Sequence, residues 1–148
     1  MAFRFALAPL LRLRQSIEKQ RAERLQEATL AVARTRESLA QMDLTLAECA
    51  RADEASLRAG RRGAEIQFAV MARETMLARR QELLFEIERL ELARQTRAVE
   101  YQHAYREREV LDTVAAQQQR TYQQEQLQRE QRDLDANHLL QLWRKRSG

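Results

Sequence analysis

"RAGRRGAE", residues 58–65, holds Gly60 and Gly63, and the only other glycine of the 148-residue chain is its last residue, Gly148. Glycine frees the backbone and costs ~1 kcal/mol relative to alanine inside a helix. Its confinement to one internal stretch therefore marks the one place where the chain turns. The rest is dominated by Ala, Leu, Glu, Arg and Gln, with a single proline and 5% aromatic residues, a long-helix composition. The expected fold is all-α, a long antiparallel two-helix coiled coil whose C-terminal helix is the longer. As one hairpin over 1–148, it would place helix 1 at about 5–58, the tip at 59–64 and helix 2 at about 65–145.

Working outward from the glycines, Leu25, Ala28, Val32, Thr35, Leu39, Met42, Leu46 and Cys49 fall at alternating steps of three and four. That spacing is a heptad seam. On the other side, Ala69, Ala72, Met76, Leu83, Ile87 and Leu90 form a second series, continued less cleanly by Tyr101, Ala104, Leu111 and Ala115. Arg80, Arg94 and Arg108 interrupt it. Two such helices joined by a short loop fold back on each other to cover their stripes.

The charges are 26 basic against 22 acidic, a net +4. Signs are interspersed, and Arg14/Glu18, Lys19/Glu23, Glu54/Arg58, Arg61/Glu65 and Glu125/Arg129 sit four apart, where helix side chains meet. This reads as a self-paired helix surface and not as a nucleic-acid face, which would cluster its basic residues among stacking aromatics. Cys49 is the only cysteine, so no internal disulfide forms, which suits a reducing compartment. In "MAFRFALAPLLRLRQ" the apolar run is short for a secretory signal and meets arginines at once. The better reading is an amphipathic helix start with Pro9 in its first turn. No stretch approaches the ~20 apolar residues of a membrane span, so no direct membrane insertion is expected.

A tip at 61–62 sets residue 1 opposite residue 122, leaving everything from Gln123 onward without an intrachain partner. As helix, 123–148 would overhang by ~39 Å. It opens in the glutamine-rich "QQQRTYQQEQLQREQ" of 117–131 and then returns to a leucine-bearing pattern in "REQRDLDANHLLQLWRKR". Leu139, Leu140, Leu142 and Trp143 have nothing in the hairpin to cover them, and burying such side chains is worth about 1.5–3 kcal/mol each. A partner protein, or a second copy, is implied.

Catalytic chemistry is missing from the pattern. His103 and His138 lie far apart and show no ligand spacing, and "GRRG" lacks the phosphate-loop pattern and a preceding strand. Acidic pairs such as Glu86/Glu88 and Asp133/Asp135 diverge on a helix, and a two-helix hairpin encloses no dry pocket. The expectation is no enzyme, no cofactor and no metal.

Two stretches carry a resemblance. "FRFALAPLLRLRQSIEKQ", at 3–20, is an aromatic-basic-aromatic start followed by leucines and a charged helix. In the C-terminal half, Arg106, Glu107, Arg108, Glu109 and Leu111 are followed by Tyr122 and then "REQRDLD" at 129–135. In order and spacing the chain resembles the FliJ family of flagellar type III export proteins. The resemblance implies a cytoplasmic antiparallel coiled coil similar to the central stalk of rotary ATPases, peripheral to the inner membrane at the flagellar base. It implies that the end bearing both termini enters the hexameric export ATPase. Candidate contacts there are Phe3, Phe5, Leu10, Leu11, Tyr122, Leu139, Leu140, Leu142, Trp143 and Arg144. The hairpin-tip half would reach the export-gate membrane protein, with Met42, Leu46, Phe68, Met71 and Met76 as candidates, and export chaperones are further implied partners. Alternatives are the stalk of an injectisome, a coiled-coil scaffold, and a membrane-surface protein using the N-terminal amphipathic stretch.

Overall fold

In the computed structural model, which describes residues 2–148, all regular structure among the described residues lies in two α-helices. Helix α1 runs Ala8–Arg58 and helix α2 runs Gly63–Ser147, 51 and 85 residues long. They pack against each other as a hairpin with the C-terminal helix the longer.

Each end has a local cause. Helix α1 starts at Ala8 and not near residue 5, because a helix reaching back to Phe5 would need an N–H from Pro9, which has none. Instead the Ala8 amide donates to the Phe5 carbonyl at 3.1 Å, and Pro9 sits in the first turn where its missing donor costs nothing. At the other end Gly60 adopts φ 85°, the one left-handed backbone among the described residues, and stops α1 as a C-terminal glycine does. The Arg62 carbonyl accepts from the amides of Glu65 and Ile66, both at 3.1 Å, so α2 begins at Gly63, two residues earlier than expected. Glu65 lies in that first turn, where the helix dipole favours an acid. Arg61 folds back onto Asp53 of α1 at 2.8 Å, tying the turn to the helix it leaves.

The chain divides into two compact units. One is Gln20–Gln102, containing the turn, and the other joins the stretch up to Lys19 with His103–Gly148. In the first unit Val32 and Leu83 are buried. Half-buried positions on α1 there continue the alternation of threes and fours through Asp53 and Ser56. On α2, Ala72, Met76, Arg80 and Leu83 step by four, four and three, an eleven-residue repeat that locally relaxes the supercoil. Arg80 thus does not interrupt the seam. It occupies a seam position, half-buried, and its Nε donates to Asp43 of α1 at 2.6 Å.

In the second unit Ala104 is buried and the less exposed positions of α1 are Ala8, Leu11, Arg14, Ile17 and Glu18. Here the base of the hairpin is held by charge as much as by apolar contact. Arg14 donates to Glu107, and Arg108 donates to both Glu18 and Asp112 while lying 4.9 Å over the Tyr105 ring. These bonds correct the expected pairing within one helix, since Arg14 and Glu18 each find a partner across the hairpin. Glu54 and Arg58 do pair as spaced, at 2.7 Å.

Candidate functional site

The N-terminal stretch that precedes α1 lies against α2 in the unit of the two chain ends. The Phe3 ring meets the Tyr122 ring at a centroid distance of 5.5 Å and an interplanar angle of 46°, a tilted contact of the kind aromatic pairs prefer. Phe3, Phe5, Leu11 and Tyr122 are half-buried and Leu10 is exposed. Beside the ring pair, an open groove of about 480 Å³ is lined by Phe3, Val114, Gln117, Thr121 and Tyr122.

Beyond this point α2 continues alone. From Leu127 to the chain end every residue is exposed, including Leu139, Leu140, Leu142 and Trp143, the last at 70%. Leu139, Leu142 and Trp143 line a shallow hollow with Lys145 and Arg146. Residues 139, 142, 143 and 146 share one face at steps of three and four. The structure therefore brings Phe3 and Tyr122 together but keeps the leucines, Trp143 and Arg144 apart from them, with Leu139 about 25 Å further along the helix than Tyr122. Basic residues fill the last turn, Arg144, Lys145 and Arg146, where the helix dipole favours cations.

In the unit of the turn, Met42, Leu46 and Met76 are half-buried in the seam, whereas Phe68 is 75% and Met71 61% exposed. A small hollow next to the turn is lined by Leu57, Ile66, Ala69 and Val70 with Asp53, Arg61 and Arg73 around them. Further along α2, Glu91 accepts from Arg94 and stands 3.7 Å from Arg36 of α1. The hydrogen bond from Arg94 holds its carboxyl below the usual carboxylate value, against the opposing effect of burial, and the charges of Arg94 and Arg36 add to it. Glu100 is held low in the same way by Arg97, with Arg21 of α1 donating to it at 2.9 Å.

Sequence reading missed these interhelical ion pairs. A signal was present: counting back from Leu25 by four and three puts Arg21, Glu18, Arg14 and Leu11 in seam positions.

Among the described residues no group of His, Cys, Asp and Glu could hold a metal ion. No described helix is long and apolar enough to cross a membrane. The surfaces carry a half-buried aromatic pair at the chain ends, a bare helix with leucines and a tryptophan, and exposed apolar residues near the turn.

The comparison with known families decides the identity. Residues 3–147 match the family described as flagellar FliJ protein. The chain belongs to the FliJ family. It is accordingly a flagellar export-related protein of the type III class, and its helical hairpin is the coiled coil that the FliJ resemblance implied. No curated protein and no solved structure matches the chain. The family match takes in both the Phe3–Tyr122 contact and the exposed end of α2, so the overhanging helix is part of this FliJ-family chain's matched length.

Proposed function

We propose that this chain is a stalk-like, non-catalytic component of the flagellar type III export apparatus. It binds the hexameric export ATPase, promotes its assembly and activity, and couples it to the export-gate membrane protein. It works at the cytoplasmic side of the inner membrane at the flagellar base and also receives export chaperones. The observation that carries this reading is the run from Leu127 to the C-terminus, helical to Ser147 and fully exposed, with Leu139, Leu140, Leu142 and Trp143 on it. A bare helix bearing large apolar side chains wants a covering protein, and a stalk seated in a ring would supply one. In that arrangement the leucines and Trp143 give apolar contact while Arg144 and its neighbours meet acidic groups of the ring. Phe3, Phe5, Leu10, Leu11 and Tyr122 form the collar at its mouth. On the gate side, Phe68 and Met71 are the exposed candidates, and Met42, Leu46 and Met76 would act from the seam by supporting them.

The test is a pull-down of the export ATPase of the same cell with the full chain and with a chain lacking 136–148, followed by ATP turnover of the mixture. Binding and stimulation by the full chain, both weakened by the deletion, are the expected result. Undiminished binding by the shortened chain would place the contact elsewhere, and ATP turnover by the purified chain alone would overturn its non-catalytic role.

A further inference from the structure

On α2, Met71, Ala78, Phe85, Leu92 and Val99 recur every seven residues and are all exposed, and from Ala78 onward they lie opposite the seam. Phe85, at the middle of the row, is 62% exposed. A coiled coil ordinarily gives its outward positions to charged and polar residues, yet five successive heptads here present an apolar one. The row lies wholly within the unit of the turn and keeps a seven-residue period, so its natural cover is another helix.

The sequence around the row says which helix. Glu82 and Arg89 lie three and four residues to either side of Phe85 and share one flank of the row. Both are exposed, and each pairs only along its own helix, Glu82 with Arg79 at 3.0 Å and Arg89 with Glu86 at 3.9 Å. When two identical helices meet antiparallel about a two-fold axis, like flanks face each other and the order reverses. With that axis at Phe85, Glu82 meets Arg89 of the second copy, and the same pair forms again on the other side of the axis. Along the row Met71 falls opposite Val99, and Ala78 opposite Leu92, so small side chains meet large ones and the layer fills evenly. Parallel pairing would set Ala78 on itself beside Phe85 on itself, a gap next to a bulge.

We propose that two copies of this chain associate back to back through Met71, Ala78, Phe85, Leu92 and Val99, antiparallel, with the two-fold axis at Phe85. A single row of contacts makes this a weak, concentration-dependent dimer.

Sedimentation equilibrium of the full chain over a concentration series tests it, with helix content followed by circular dichroism. The chain should shift from monomer toward dimer as concentration rises. Phe85→Glu places like charges at the axis and should weaken the dimer at least about tenfold, and Leu92→Gln should weaken it without adding charge. Glu82→Arg should also weaken it, and adding Arg89→Glu in the same chain should restore it. A monomer at every concentration, or a Phe85→Glu chain that dimerises like the original, overturns the proposal. A double exchange that fails to restore what Glu82→Arg lost overturns the antiparallel axis.

Discussion

Arg108 and Glu18, 90 residues apart in the chain, meet in a two-pronged ion pair: the Arg108 Nε and Nη2 donate to the two oxygens of the Glu18 carboxylate, the latter at 3.3 Å. Asp112 takes a third donor of the same guanidinium. These acids hold the Arg108 proton more firmly than usual, Glu18 first through its hydrogen bond and Asp112 next. A bidentate guanidinium–carboxylate pair fixes geometry as well as charge, and one such pair at a seam position favours a single register. Arg108→Gln and Glu18→Gln should each lower the melting temperature, and the double change should lower it by less than the two losses added. Exchanging the two residues should recover only part of the loss, because Asp112 would then face a carboxylate. Strict additivity in thermal melts would mean that the pair contributes no coupling.

The seam itself is tested by a contrast two residues wide. Leu83 is 4% exposed, and Leu83→Asp buries a charge without a partner, which should cost several kcal/mol. Phe85→Asp, on the opposite face, should leave the melting temperature of the dilute protein almost unchanged. Equal effects at the two sites would be incompatible with the packing described.

Much of this was legible in the sequence because the α1 seam is built of residues whose only common property is their spacing. Thr35 and Cys49 sit in it beside Val32, and periodicity finds them regardless of chemistry. The arginines were harder. A guanidinium at a seam position looks like an interruption until the acid that faces it is known, and Asp43 lies 37 residues away from Arg80. Likewise Arg14 and Glu18 are four apart and could pair locally. Only the phase of the seam, counted back from Leu25, turns them toward Glu107 and Arg108. The overhang was legible from arithmetic about the glycines, with its unbroken exposed run starting at Leu127 and not at Gln123 because Gln126 still lies partly covered.

The two turn glycines should behave oppositely. At Gly60 a methyl group would meet nothing within 4 Å, but φ +85° strains any L side chain. Gly60→Ala should therefore destabilise by about 1 kcal/mol. Gly63 has equal room, no left-handed backbone and a place in the first turn of α2. Gly63→Ala should be neutral or stabilise by up to about 1 kcal/mol. Denaturant titrations of both variants measure the difference, and a costly Gly63→Ala would contradict its helical placement.

Acid should loosen the unit that contains Glu91 and Glu100. Both carboxyls have folded-state values lowered from 4.5, chiefly by hydrogen bonds from Arg94 and Arg97 respectively. A depressed folded value means the unfolded chain binds protons more readily. Their contribution is thus complete above the unfolded value and is lost as pH falls through the lower folded one. Melting temperature should decline as pH drops below about 4.5, and the Glu91→Gln/Glu100→Gln chain should decline less steeply over the same window. An identical acid limb in that variant would assign the loss to other carboxylates.

Trp143 is the only tryptophan in the chain, 70% exposed on the bare end of α2. Since every residue of 136–148 is exposed, deleting the segment should leave the hairpin's melting temperature within experimental scatter, while a marked fall would mean that the segment folds back. The same residue then reports on docking. Fluorotryptophan incorporated into this chain alone gives a single fluorine resonance, which should be solvent-sensitive in the free protein. Adding the hexameric ATPase should shift and broaden it as the ring covers the indole. Leu140→Ala with Trp143→Ala should weaken ATPase binding by roughly a hundredfold or more, since two apolar anchors of about 1.5–3 kcal/mol each are withdrawn. A fluorine signal that stays sharp and unshifted in a complex confirmed by co-sedimentation would place the ATPase contact away from this helix end, at the Phe3–Tyr122 collar or beyond it.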